Sequence, residues 1–121
     1  MRAVYPIAKH DFLTGAINML TDTIKVALVT DAYDANDTVL ADLATVATSI
    51  VSVTEVTDDG RVLCDDITFV NVTGATVVGA VTYVEAGPLI GFTDQRADTV
   101  PISFTPNGGD VTLSYNYLLK L

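Results

Sequence analysis

The sequence predicts a mainly β fold, an antiparallel β-sandwich of jelly-roll or immunoglobulin-like type with a short N-terminal helix. Three observations carry that prediction. Forty-one of the 121 residues are Val, Thr or Ile, the side chains that fit a pleated surface best. From residue 49 onward, short alternating runs recur, each closed by a turn rich in Gly, Asp or Pro. A helical period is clear only in the first twenty residues.

A chain of 12.8 kDa suits a single domain over residues 1–121, with a helical segment at 1–20 and the sandwich at 21–121. Pro6 is at home in a first helical turn, and Ala8, Phe12, Ala16, Ile17 and Leu20 recur near a 3.6 period, with Gly15 a weak point inside. Ile24, Val26 and Leu28 alternate on one face of a first strand. Residues 31–38 read as a polar loop, after which Asp37 or Thr38 is placed to cap a short helix through Val39, Leu40, Leu43 and Val46.

Further on, Asp58-Asp59-Gly60 and Thr73-Gly74 mark turns, and residues 75–84 are apolar on both faces, as a central, doubly covered strand requires. The last pair carries the plainest pattern. Val100, Ile102 and Phe104 alternate, Asn107-Gly108 offers the positive-φ pair of a tight hairpin, and Val111, Leu113, Tyr115, Tyr117, Leu119 and Leu121 alternate back. Pro101 lacks a ladder donor, which places its strand at an edge or bulge. A final strand running to Leu121 anchors the C-terminal end in the sheet.

Reactive side chains are few: one His (His10), one Cys (Cys64), no Trp and six bases. The lone Cys allows no internal disulfide, and it reads as an inert, partly buried thiol made in a reducing cytoplasm. The net charge of −9, with the bases scattered along the sequence, argues against nucleic acid as a partner. No apolar run reaches the length of a membrane span, and the patch at residues 3–8 is too short and Pro-broken for a secretory leader.

Four residues in one loop, Asp31, Asp34, Asn36 and Asp37, are the oxygen donors that calcium takes. Their spacing is not that of an EF-hand, and Asp and Asn are also what turns select, so the loop is read as a solvated turn and only secondarily as a metal site. The pairs Asp58-Asp59 and Asp65-Asp66 point to opposite faces of any strand, so neither forms a two-carboxylate catalytic site. His10 has no Ser partner in a recognisable motif and reads as an exposed polar residue. Tyr115 and Tyr117 share a strand face with Val111, Leu113 and Leu119, which favours core packing over a sugar-stacking platform. No catalytic residue and no cofactor are expected.

The run from Phe12 through Asn18, the run from Thr21 through Val29, Tyr33, and Leu40-Ala41-Asp42-Leu43 together resemble the opening of a family of small virion proteins of tailed bacteriophages and prophages. Residues 65–71, 88–94 and the closing alternation extend the similarity in order along the chain. Phe69 stands where those proteins often carry Trp, and residues 44–63 lack their Gly-rich stretch. The resemblance implies a non-enzymatic virion component, foremost a capsid decoration or cement protein binding between major capsid subunits. The alternative is a minor tail part or a receptor- or carbohydrate-binding module. It implies a homo-oligomer whose partner is the major capsid protein or another virion protein, made in the host cytoplasm and located in the virion. The docking side is expected on the helix and the adjoining loop, with Phe12, Asn18, Tyr33 and Asp34 as interface residues.

Overall fold

A computed structural model describes residues 2–95, 101–115 and 117–120. The protein is mainly β, with one α-helix and antiparallel sheets. In chain order the elements are β1 (Arg2–Val4), α1 (Pro6–Leu13), β2 (Ile24–Val29), a 3₁₀ turn (Leu40–Asp42), β3 (Thr45–Ile50), β4 (Val53–Val56), β5 (Arg61–Cys64), β6 (Ile67–Phe69), β7 (Gly79–Val84), β8 (Leu89–Thr93), β9 (Val111–Leu113) and β10 (Leu119–Lys120). Five strands form one sheet in the order β1-β8-β7-β2-β3, three form a second as β10-β5-β4, and β6 pairs with β9.

Burial on both faces explains the centre of the large sheet. Along β2, Ile24, Val26 and Leu28 point into one apolar cluster, and Ala27 and Val29 point into another. β7 repeats the division with Ala80 on the first side and Val81 and Tyr83 on the second. The continuous apolar run read as a doubly covered strand is therefore β7, flanked by β8 and β2. Gly79 opens β7 because a Cβ there would stand 2.7 Å from Cε2 of Phe92.

The first cluster joins that sheet to the smaller ones: Val62 of β5, Ile67 and Phe69 of β6, Leu113 of β9 and Leu119 of β10 all bury there. Ala8 of α1, with Ile17 and Met19 beyond the helix, closes one side of it. The second cluster is covered by Tyr5, Ile7, Tyr33, Leu40 and Leu43. The large sheet thus lies between the small sheets, with Ala8, Ile17 and Met19, on one face and Tyr5, Ile7 and the 31–43 segment on the other.

Several expectations are corrected. Helix α1 is limited to Pro6–Leu13, because β1 precedes it and Gly15 takes φ +77° directly after the Thr14 C-cap. Ile17 and Met19 reach the core from a non-helical turn. The second helix is a single 3₁₀ turn, and the β-branched Thr45, Val46 and Thr48 enter β3 instead.

The closing hairpin does not form. β9 pairs with β6, matching Ile67 to Leu113 and Phe69 to Val111, while Phe104 bridges to Val77. Gly108 alone of the pair takes positive φ, and the 107–109 loop docks on Val72, with Gly108 N donating to Val72 O at 2.7 Å and Val72 N to Gly109 O at 3.0 Å. Pairing with β6 buries Ile67, Phe69 and Leu113 together, a larger apolar gain than a local hairpin offers. Pro101 makes an isolated bridge to Gln95, and β10 anchors the C-terminal segment against β5; Val100 and Leu121 lie outside the described residues.

Candidate functional site

The polar loop at 31–37 folds around its own carboxylates. Asp31 Oδ2 accepts from Ala44 N at 2.8 Å, and Asp34 Oδ1 accepts from Asn36 N at 2.9 Å. Asp42 Oδ2 accepts from Thr38 N at 3.0 Å and Val39 N at 3.3 Å, and these backbone donors hold its carboxyl below the ordinary value. Asp37 is shifted the other way, by desolvation first and then by the charges of Asp34, Asp42 and Asp31. Asn36 is exposed. Among the described residues no group of three His, Cys, Asp or Glu is arranged to hold a metal ion, and the Asp31 and Asp34 carboxylates accept backbone N–H groups of the turn.

Aromatic packing lies beneath this loop. Tyr33 sits 5.1 Å from the Tyr5 ring and 5.8 Å from the Phe92 ring, measured between centroids. Tyr5 is fully buried, its hydroxyl has no hydrogen-bond partner, and burial, followed by the charge of Asp37, drives its pKa far up. Of the four residues expected at an interface, Tyr33 is half-buried against the second cluster and Phe12 is half-buried against the first. Asn18 and Asp34 are exposed, and both are engaged locally: Asn18 Oδ1 accepts from Leu20 N at 3.0 Å. Phe12 and Tyr33 thus pack on different apolar clusters.

What the N-terminal turn does present is apolar. Leu13 is 90% exposed and Leu20 63% exposed, on either side of Asn18. His10 stands in solvent and contacts Asp11 Oδ1 at 2.9 Å through Nδ1. Cys64 is half-buried, and desolvation with the nearby Asp65 and Asp66 pushes its thiol up, away from the reactive thiolate.

A cleft of about 130 Å³ lies between β1, β7 and β8 on one side and Tyr115 with residues 117–120 on the other. Arg2 crosses it: Nη1 donates to Tyr117 O at 2.9 Å, and the guanidinium carbon lies 4.5 Å from the Tyr117 ring centroid and 5.4 Å from that of Tyr115. Arg61 approaches Tyr117 to 5.6 Å while its Nε pairs with Asp59 Oδ2 at 3.1 Å. Lys120 lines the cleft and lies opposite Arg61 across the β5–β10 ladder. Tyr115 packs on the first cluster as core, yet its hydroxyl is buried without a partner, and burial raises its pKa well above the usual range.

The sequence contains no local sign of this cleft, because Arg2, Arg61 and Lys120 meet only through the β1–β8 and β5–β10 pairings. No helix among the described residues is long and apolar enough to cross a membrane. Comparison with family models, curated proteins and solved structures gives no match.

Proposed function

We propose that the chain is a non-enzymatic structural component of a virus particle, most specifically a decoration or cement protein seated between major capsid subunits, made in the host cytoplasm and carried on the virion as a homo-oligomer. The single observation that carries this reading is the apolar surface of the N-terminal turn. Leu13 and Leu20 are 90% and 63% exposed on a protein of net charge −9, Leu13 more than any other large apolar side chain among the described residues. Covering one leucine contributes about 1.5–3 kcal/mol, so a partner surface there gains more than the isolated chain can.

The resemblance of residues 12–18 and 21–29 to phage virion proteins supports the same reading, as does a sheet with both faces filled. The two clusters on either side of that sheet are in keeping with a sandwich of jelly-roll or immunoglobulin-like type. The alternative, a minor tail part or carbohydrate-binding module, is less favoured, because Arg2 already occupies the Tyr115 and Tyr117 rings on which a sugar would stack.

Particles assembled with and without the protein test the proposal through resistance to heat and chelator. Loss of resistance in the deficient particles is expected; equal resistance overturns a cementing role.

A further inference from the structure

Three of the six basic side chains in a chain of net charge −9 lie in one region: Arg2 and Arg61 approach the Tyr117 ring, and Lys120 lines the same cleft as Tyr117. Arg61 pairs with Asp59, whose carboxyl Lys120 also influences, and Arg2 and Lys120 line the cleft. Cations at a surface with this charge have many carboxylates available, so their placement on rings and at a cavity mouth needs a reason.

The cavity supplies one. Its walls are mixed: Val4 and Leu119 are apolar, Gly91 leaves the backbone bare, and Tyr115 brings a ring and a buried hydroxyl without a partner. Its volume of about 130 Å³ is well below the roughly 300–1,000 Å³ of sites for larger organic ligands, which excludes a nucleotide or an oligosaccharide. A guanidinium offers up to five donors in a planar fork, of which one goes to the Tyr117 carbonyl. That fork matches a carboxylate, and the Val4 and Leu119 side chains match a flat apolar body.

We propose that the cleft between β1 and residues 117–120 is a binding site for a small flat carboxylate, with Arg2 as its principal anchor, Lys120 as a second cation and Val4 and Leu119 as its apolar walls. The site is independent of the assembly reading, since neither Leu13 nor Leu20 lines it.

Sodium benzoate is the probe and benzamide its uncharged counterpart, each titrated into the full-length ¹⁵N-labelled protein and followed by amide shifts. Saturable shifts with benzoate, centred on residues 2–4, 91–93 and 117–120, and at least about tenfold weaker binding of benzamide are expected, as loss of one charge-assisted contact predicts. Arg2→Gln should weaken benzoate about tenfold, Lys120→Gln less, and Lys9→Gln, on the exposed face of α1, not at all. Absence of saturation, equal binding of the two probes, or full affinity in both Arg2→Gln and Lys120→Gln overturns the proposal. Should Arg2→Gln lose the dispersed spectrum of a folded chain, Lys120→Gln and the benzamide comparison decide.

Discussion

The 31–37 loop and the N-terminal turn around Asn18 were both expected on the docking side, and they place their apolar side chains in opposite ways. In the loop, the carboxylates are tied to the backbone and the ring is covered: Asp31 and Asp34 accept N–H groups, as Asp42 does in the 3₁₀ turn that follows, and Tyr33 lies on Tyr5 and Phe92. In the turn, Ile17 and Met19 go inward while Leu13 and Leu20 stay in water. A cluster of polar residues in sequence therefore marks a chain reversal, while the turn leaves Leu13 and Leu20, like Ile50 and Val70 elsewhere, uncovered by the fold.

The largest expected effect separates association from stability. Leu13→Asp combined with Leu20→Asp should weaken self-association about a hundredfold or more, from the roughly 3–6 kcal/mol of two leucines covered at a contact, while the unfolding midpoint stays near wild type. Sedimentation velocity over a concentration series, with thermal unfolding alongside, reads both. A matching collapse in stability would show that these leucines belong to the fold.

Tyr33→Ala should do the reverse. Removing its ring uncovers Tyr5 and Phe92 and should cost about 2 kcal/mol, part of the value for a fully buried aromatic, with self-association unchanged. Urea unfolding measures it. Tyr5→Phe should stabilise by about 1 kcal/mol, because a buried hydroxyl without a partner is replaced by hydrogen at the same shape. An unchanged or lower midpoint would mean that the hydroxyl is hydrogen-bonded in solution.

Within the loop, two acids should respond with opposite sign. The folded pKa of Asp42 is lowered from 3.8 by the Thr38 and Val39 donors, so it contributes stability above that pH and loses it as pH falls through the lowered value. Asp37 has a raised pKa, so ionising it opposes folding at neutral pH, and the penalty vanishes as pH falls through the raised value. At neutral pH, Asp42→Ala should lower the melting temperature and Asp37→Asn should raise it slightly; melting curves at neutral pH and at pH 3 test both signs.

Legibility followed the range of the interactions. β7 was readable because a strand covered on both faces is apolar at consecutive positions, and the turn at Gly60, φ +83°, because Asp58-Asp59-Gly60 encodes it locally. The strand character of residues 111–113 was readable, but not its partner: alternation says which residues face the core, and only the shared burial of Ile67, Phe69 and Leu113 selects β6 over residues 100–104. The same limit concealed the cleft. Tyr115 and Tyr117 were visible as a pair, whereas Arg2 reaches them from the other end of the chain.

The most direct test of the structural role is binding to particles that lack the protein, measured as the pelleted fraction over a concentration series. The account predicts that wild type saturates and that Leu13→Asp with Leu20→Asp stays in the supernatant over the same range. Equal binding by the two, or no binding by wild type, would contradict it.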